Sequence, residues 1–167
     1  MPEIIRNIFE NYAKEMLGVK DCIAVNTGTS ALIATLWSMD LKEEDEIITT
    51  PFTFIATTNS ILFAKAKPVF VDVRLEDSLI DPDKIEEKIT EKTKAIIAVH
   101  LYGRMCNMDK IMKIAEKYNL VVIEDAAQAF SAKYNDKYSA TIGDAGIYSF
   151  YKTKPLSTFE GDRKSVV

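Results

Sequence analysis

Short apolar segments of strand type alternate with helical segments along almost the whole chain. Six of the apolar segments are nearly continuous runs rich in Ile and Val, at residues 21–25, 46–49, 68–73, 95–99, 120–123 and 145–151. Strands of this type are buried on both faces, and their separation by helices indicates parallel pairing. The alternation therefore predicts a three-layer α/β/α fold, in which a mostly parallel sheet carries helices on both faces.

Helical periodicity and capping residues mark the connecting segments. Helices are expected over residues 4–16, 29–39, 53–66 and 81–89, and after Asn107. Asp81 and Asn107 are residue types that cap helices, and Pro82 suits a first helical position. Residues 134–137 predict a tight turn between two short extended pieces.

Length and composition exclude several classes of protein. A chain of 167 residues is expected to form one domain. The net charge of −4 argues against binding to nucleic acid, which usually needs a basic surface. No apolar stretch is long enough to span a membrane, and the first residues do not resemble a signal peptide. Cys22 and Cys106 fit no metal-ligand pattern, so two reduced thiols in a cytoplasmic protein are expected.

Polar and aromatic residues follow several predicted strands at the point where each strand ends. A turn of small residues, 26–31, follows the first strand, Phe54 follows the second and Asp125 follows the fifth. Because the carboxyl ends of parallel strands share one edge, we expect these residues to lie together at a ligand site. Each alone has a simpler interpretation, which is a helix cap for the turn and for Asp125, and core packing for Phe54.

Ser149 and Lys154 belong to the same predicted edge. Pro155 biases Lys154 towards an extended backbone just past the last predicted strand. A lysine in such a position is most often a solvated surface residue. One ligand that needs a helix N-terminus for its phosphate, an acid, an aromatic plate and an amine is pyridoxal phosphate. The four features together therefore predict this cofactor, with Lys154 as the amine that reacts with its aldehyde.

Six stretches of the chain carry a more specific signal, at residues 26–32, 45–57, 66–72, 93–103, 122–128 and 143–154. The last two read Val-Ile-Glu-Asp-Ala-Ala-Gln and Gly-Asp-Ala-Gly-Ile-Tyr-Ser-Phe-Tyr-Lys-Thr-Lys. Together the six stretches resemble the sugar aminotransferases of the DegT/DnrJ/EryC1/StrS family over nearly the whole chain. The resemblance implies the aspartate-aminotransferase fold, with residues 1–167 as part of its large cofactor-binding domain.

The resemblance also implies a role for each residue around the cofactor ring. Lys154 would form the Schiff base with pyridoxal phosphate and would move the proton during the reaction. Asp125 would pair with the pyridine nitrogen, and Gln128 would hydrogen-bond the 3-oxygen of the ring. Phe54 would stack on the ring, at a position where members of the family carry an aromatic residue.

The resemblance implies that Thr29, Ser30 and Ser149 bind the phosphate.

His100 lies in a His-Leu-Tyr-Gly turn that is typical of the family, and it is interpreted as structural. Lys152 rivals Lys154 by residue type alone. The family pattern places the reacting lysine at position 154, so Lys154 is preferred.

Members of this family transfer an amino group from glutamate to a nucleotide-linked keto-sugar. A branch with His in place of the lysine catalyses dehydration instead, so Lys154 favours transamination. Glutamate and a nucleotide-linked keto-sugar are therefore the expected substrates. The resemblance further implies a homodimer whose active site is completed by the partner subunit.

The chain departs from the family pattern at both ends. Members have a few dozen residues before the first helix, and the rest of the large domain and a small C-terminal domain after the lysine. Residues 159–161 are interpreted as a loop, and the strand that should follow is expected to be missing. A truncated chain that binds pyridoxal phosphate weakly, with negligible turnover, is expected on this basis. The alternative is a non-catalytic remnant or a regulatory module that keeps the fold.

Overall fold

A computed structural model describes residues 3–157 and the backbone of residues 165 and 166. The helices of this part of the chain are Glu3–Leu17 (α1), Gly28–Trp37 (α2), Ile55–Phe63 (α3) and Met108–Tyr118 (α4). The strands are Ala24–Val25 (β1), Glu46–Thr49 (β2), Lys67–Phe70 (β3), Thr93–Val99 (β4), Val121–Asp125 (β5), Lys133–Tyr134 (β6), Lys137–Tyr138 (β7), Ala145–Ile147 (β8) and Ser165–Val166 (β9). Short 3₁₀ turns lie at Pro82–Lys84, Glu86–Lys88 and Leu101–Gly103.

Five strands form one parallel sheet in the order β3-β2-β4-β5-β8. In this register Val99 pairs with Asp125, and Asp125 pairs with Ile147. The carboxyl ends of β4, β5 and β8 therefore lie side by side. The segments that follow these strands all begin at one edge of the sheet, as the sequence predicts.

Helices cover both faces of the sheet. The crossover from β2 through α3 to β3 runs in one direction across the sheet, and the crossover from β4 through α4 to β5 runs in the other. Because such crossovers are right-handed, opposite directions place α3 and α4 on opposite faces. Helix α2 packs against α3. The predicted α/β fold class is confirmed. None of the helices in the described residues combines the length and apolar character needed to cross a bilayer.

The core is built from strand residues that are buried on both faces of the sheet. Ile96 and Ile97 are consecutive residues of β4, point to opposite faces and are both 0% exposed. Leu36 of α2 and Ile111 of α4 are also fully buried in this core. The near-continuous apolar strands of the sequence follow directly from this two-sided burial.

A smaller aromatic cluster joins α1 to the segment after β8. The rings of Phe9 and Phe150 meet edge to face at 5.9 Å. Phe130 contacts both Phe150 and Tyr148, with ring centroids 5.5 and 5.2 Å apart. Such pairs stabilise beyond their buried area. They hold residues 148–150 in place, and hence the backbone on both sides of Ser149.

The helix predicted for residues 81–89 is wrong. Asp81 caps the segment as expected, because its Oδ1 accepts a hydrogen bond from the Asp83 N–H at 3.1 Å. The segment then forms two 3₁₀ turns, and the backbone is extended by Ile89. After the first turn only Ile85 and Ile89 are apolar, which is too narrow a face to stabilise a longer helix by packing.

Three predicted strands are shorter than expected, and one strand was wrongly expected to be missing. The strand predicted for residues 68–73 ends at Phe70, as β3. Strand β8 ends at Ile147 because its partner β5 ends at Asp125, which leaves residues 148–151 with no strand to pair with. The strand predicted for residues 21–25 is reduced to β1. It pairs antiparallel with β9, whose backbone supplies the strand that was expected to be absent. The loop interpreted at residues 159–161 lies outside the described residues.

The predicted turn and the predicted helix cap are both present. Residues 134–137 form a hairpin between β6 and β7, with Asn135 and Asp136 at positive φ of 48° and 65°. Asn and Asp adopt this conformation more readily than other non-glycine residues, as two-residue hairpin turns require. Helix α4 begins after Asn107, whose Oδ1 accepts a hydrogen bond from the Lys110 N–H at 3.1 Å.

Replacement of Asn107 by alanine is expected to lower the free energy of unfolding by about 1 kcal/mol, because the N-terminal N–H groups of α4 lose their side-chain acceptor. Asn107→Asp keeps an oxygen at this position and should leave stability close to wild type. Urea unfolding followed by circular dichroism measures both variants. Equal destabilisation by the two substitutions would contradict a capping role.

Candidate cofactor site

A cavity of about 590 Å³ lies at the carboxyl edge of the sheet, and it is called the edge cavity below. Its walls come from the turn before α2, the start of α3, the ends of β4, β5 and β8, and the loop after β8. Segments that are far apart in the sequence therefore converge on one space. This is the crevice where open α/β sheets bind ligands.

The structure brings most of the predicted site residues to this cavity: Thr29, Phe54, Asp125, Gln128, Ser149 and Lys154. Ser30 is not among the residues that line it. The Ser30 N–H donates a hydrogen bond to the Thr27 Oγ1 at 2.9 Å, and the two hydroxyl oxygens also lie 2.9 Å apart. Ser30 is thus engaged in capping α2, and the structure does not aim it at the cavity.

The N-terminus of α2 opens onto the edge cavity. Thr27 caps the helix, and Asn26, Thr27, Gly28 and Thr29 all line the cavity. The first N–H groups of a helix have no acceptor within it, and the helix dipole adds a partial positive charge there. The sequence did not identify Thr27 as the cap, because Thr27, Thr29 and Ser30 are all capping types and their order does not show which one begins the helix.

Asp125 is a buried carboxylate at the end of β5, with 5% of its surface exposed. Its Oδ2 accepts a hydrogen bond from the Thr57 hydroxyl at 2.8 Å, and its Oδ1 accepts one from the Ala127 N–H at 3.2 Å. Burial raises the pKa of Asp125, against the opposing effects of these hydrogen bonds and of the nearby Lys154 and His100. A cationic partner would strongly stabilise the ionised form of a carboxyl group in this position.

Lys154 faces the cavity from a tight turn. Its backbone N–H donates to the Tyr151 carbonyl at 2.8 Å, and its Nζ lies 6.0 Å from the centroid of the Phe54 ring. Burial lowers the pKa of Lys154, although the charge of Asp125 raises it. A lowered pKa increases the fraction of neutral amine, which is the form that attacks a carbonyl. Lys152 is exposed and is not among the residues that line the cavity.

Glu124 and His100 form a fully buried pair, in which His100 lies in the wall of the cavity and Glu124 lies behind it. The His100 Nε2 lies 2.8 Å from the Glu124 Oε2, and both side chains are 0% exposed. The Cys106 N–H donates to the His100 Nδ1 at 3.2 Å, so Nδ1 carries no proton and Nε2–H donates to Glu124. Both ring nitrogens are engaged by the protein. This geometry favours the structural interpretation of His100.

The pKa values of the neighbouring carboxyl groups of Glu124 and Asp125 are shifted in opposite directions. Burial raises the pKa of Glu124, but the hydrogen bond from His100, with those from the N–H groups of Gly143 and Ile142, outweighs this effect and holds the pKa below its ordinary value. Successive residues of a strand point to opposite sides, so Glu124 enters the protein core and Asp125 enters the cavity. The pairing with many donors makes Glu124 a structural anion.

Thr57 lines the edge cavity and was not predicted from the sequence. It lies four residues after Thr53, and the two hydroxyl oxygens are 3.0 Å apart. Thr53 precedes α3 and Thr57 lies in its first turn, so this spacing brings the two hydroxyl groups together at the start of the helix. That spacing was visible in the sequence, but Asp125, the partner of Thr57, is 68 residues away and only the fold brings them together.

The fold is that of a class of enzymes, the aminotransferases that depend on pyridoxal phosphate. Residues 5–162 match the DegT/DnrJ/EryC1/StrS aminotransferase family, and the chain belongs to this family. The family predicted from the sequence motifs is therefore confirmed, together with the fold class.

Relatives and solved structures agree with this assignment. The chain is 44% identical over 153 residues to GDP-perosamine synthase of Caulobacter vibrioides, over 92% of this chain and 40% of that protein. It superposes on an aminotransferase from Psychrobacter cryohalolentis with a TM-score of 0.92 and 41% identity, over 97% of this chain and 41% of that chain. NtdA from Bacillus subtilis, with bound cofactor PMP, matches with a TM-score of 0.87 and 35% identity, over 96% of this chain and 36% of that chain.

PMP is the aminated form of pyridoxal phosphate, so the cofactor predicted from the sequence is confirmed as that of the family. The chain spans about two-fifths of the length of the curated relatives it matches.

Proposed function

We propose that residues 1–167 form part of the large, cofactor-binding domain of a nucleotide-sugar aminotransferase, which transfers an amino group from glutamate to a nucleotide-linked keto-sugar. The observation that carries the proposal is the convergence of Lys154, Asp125, Phe54 and the N-terminus of α2 on one cavity. These four elements supply an amine, an acid, an aromatic plate and an anion site. Pyridoxal phosphate needs all four.

The residues of the edge cavity fit pyridoxal phosphate group by group. The N-terminus of α2, with Thr29 and Ser149, offers donors for the phosphate. Phe54 is 64% exposed, so a large part of its surface is accessible for stacking on a ring. Gln128 lines the same space and supplies an amide for the ring oxygen. Ser30 is proposed only as support for the phosphate turn, since its hydrogen bonds are made to Thr27.

Asp125 and Lys154 would have different roles in the reaction. Pyridoxal phosphate, when bound, supplies the aldehyde that takes up the amino group and the ring that withdraws electrons. Asp125 would keep the ring nitrogen protonated, since an ion pair at about 4 Å is worth roughly 4 kcal/mol at an effective dielectric constant near 20. Lys154 would hold the cofactor through its amino group and would move a proton with the same group during the reaction.

The substrates and the assembly are proposed by analogy with named relatives. GDP-perosamine synthase and the dTDP-4-amino-4,6-dideoxy-D-glucose transaminase of Shigella dysenteriae are named for nucleotide-linked amino sugars, which supports a keto-sugar acceptor here. Glutamate as the donor, a homodimer and a cytoplasmic location complete the proposal. A role in making amino sugars for cell-surface polysaccharides follows from the same class of product.

Reductive trapping tests the assignment of Lys154. The chain is incubated with excess pyridoxal phosphate, reduced with borohydride, digested and mapped by mass spectrometry. We expect the label on Lys154, and we expect the visible absorbance of the lysine-bound cofactor to disappear in Lys154→Ala and to persist in Lys152→Ala. Excess cofactor makes the test independent of tight binding. A label on Lys152, or one spread evenly over the surface lysines, would contradict the proposal.

A further inference from the structure

Two threonines of the α3 region connect the wall of the edge cavity to Asp125. The hydroxyl oxygens of Thr53 and Thr57 are 3.0 Å apart, and the Thr57 hydroxyl lies 2.8 Å from the Asp125 Oδ2. Thr57 is 1% exposed and Asp125 is 5% exposed. The second of these hydrogen bonds is therefore shielded from competing water.

The direction of the hydrogen bonds follows from the chemistry of the three groups. An ionised carboxylate can only accept, so the Thr57 hydroxyl must donate to Asp125. The oxygen of Thr57 is then left to accept from the Thr53 hydroxyl. Each hydrogen bond in such a chain polarises the next, and a bond to a charged acceptor is stronger than a neutral one.

The same turn of backbone carries the aromatic residue of the cavity. The Thr57 N–H donates to the Phe54 carbonyl at 3.1 Å, so Phe54 and Thr57 belong to one hydrogen-bonded turn. On the other side of the carboxylate, the Ala127 N–H donates to the Asp125 Oδ1 at 3.2 Å. The Asp125 carboxylate is thus held at both oxygens, and one of the two contacts comes from the turn that presents Phe54.

We propose that Thr57 is a positioning residue, whose hydroxyl, supported by Thr53, fixes the orientation of the Asp125 carboxylate and stabilises its anionic form. The inference rests on the proposed function, in which Asp125 pairs with the ring nitrogen of pyridoxal phosphate. It links that ion pair to the stacking residue Phe54 through one turn of the chain. Two other ionisable groups act on Asp125, which are Lys154 from the loop after β8 and His100 from the end of β4.

The test compares three variants, Thr57→Val, Thr57→Ser and Thr53→Val, with the wild-type chain. Valine has nearly the shape of threonine and lacks the hydroxyl, whereas serine keeps it. The titration of the Asp125 carboxyl carbon is followed by ¹³C NMR without cofactor, and thermal unfolding verifies that each variant is folded. We expect Thr57→Val to move the titration to higher pH, Thr53→Val to move it less in the same direction, and Thr57→Ser to leave it near wild type.

Binding of pyridoxal phosphate supplies a second measurement. Loss of a hydrogen bond to a charged group should weaken the apparent affinity about tenfold in Thr57→Val, and the affinity of Thr57→Ser should stay within about twofold of wild type. An unmoved Asp125 titration in folded Thr57→Val overturns the inference. If Thr57→Val fails to fold, an unmoved titration in Thr53→Val overturns it. A shifted titration without any trapping at Lys154 would reject the proposed function and leave the inference on Thr57 standing.

Discussion

Replacement of Glu124 by alanine is expected to lower the free energy of unfolding by about 3–5 kcal/mol, because it removes the acceptor for a set of buried donors. The Oε2 of Glu124 lies 2.8 Å from the His100 Nε2 and accepts the Ala140 N–H at 3.0 Å. Its Oε1 accepts the N–H groups of Ile142 and Gly143 at 2.6 and 2.7 Å. Alanine leaves all four donors without this partner.

Glu116 offers a matched control, because it is an exposed glutamate on α4. Glu116→Ala should change stability by no more than about 0.5 kcal/mol. Glu124→Gln should fall between the two, since it keeps one acceptor oxygen but turns an N–H₂ group towards buried donors. Guanidinium unfolding of the variants gives these differences. A Glu124→Ala variant as stable as Glu116→Ala would show that the hydrogen bonds to Glu124 contribute little.

The effect of Glu124 should also depend on pH. Its pKa is lowered in the folded chain, so its contribution to stability is present above the unfolded-state pKa of about 4.3 and is lost as the pH falls through the folded value. The gap between wild type and Glu124→Ala should therefore narrow in acid. Asp125 acts with the opposite sign, because its raised pKa makes folding more favourable as the pH falls through the folded value.

Replacement of Gly146 by alanine is expected to lower the free energy of unfolding by about 3 kcal/mol or more, because β8 has no room for a side chain at this position. A Cβ built on Gly146 would lie 2.4 Å from the Cα, Cβ and carbonyl oxygen of Ala140. Two of these atoms are backbone, so no side-chain rotation relieves the contact. The chain must shift either β8 or the loop that contains Ala140, and a shift of β8 would displace Ser149 and Lys154 from the cavity.

Gly18 offers a control, because replacing it by alanine strains the backbone without creating a steric clash. It has a φ of +67°, and a Cβ there would meet nothing within 4 Å. Gly18→Ala should lower the free energy of unfolding by only about 1–2 kcal/mol, because alanine is strained in the left-handed backbone conformation. Thermal unfolding compares the two variants, and trapping of pyridoxal phosphate at Lys154 shows whether β8 has moved. A Gly146→Ala variant no less stable than Gly18→Ala would contradict the close packing of β8 on the loop.

The sequence predicted those parts of the fold that depend on local pattern. Continuous apolar runs identified the parallel strands, because burial on both faces leaves no alternation. The helix expected after Asp81 was wrong, because a correct cap and a proline do not supply an apolar face. Strand β8 was predicted too long, because its length is set by where its partner β5 ends.

The candidate site likewise has a part that could be predicted from the sequence and a part that could not. The position of Asp125 and Lys154 at the cavity could be predicted because the chemistry of a cofactor and a family motif both point to them. Thr57 could not, because its role depends on a contact with Asp125, 68 residues away. Ser30 was placed among the phosphate ligands because residue type does not show which of several small residues caps α2.

The strand order of the sheet also governs how the chain reaches its folded state. All pairings in the five-stranded sheet are parallel, so each one closes a long loop before it gains stability. Strand β8 is the last of these strands to leave the ribosome. Among the described residues it pairs with β5 alone, on one side of the sheet. The edge cavity is therefore incomplete until β8 docks, and sheets of this kind fold slowly. A ligand that binds only the finished cavity would favour the docked state of β8 by mass action.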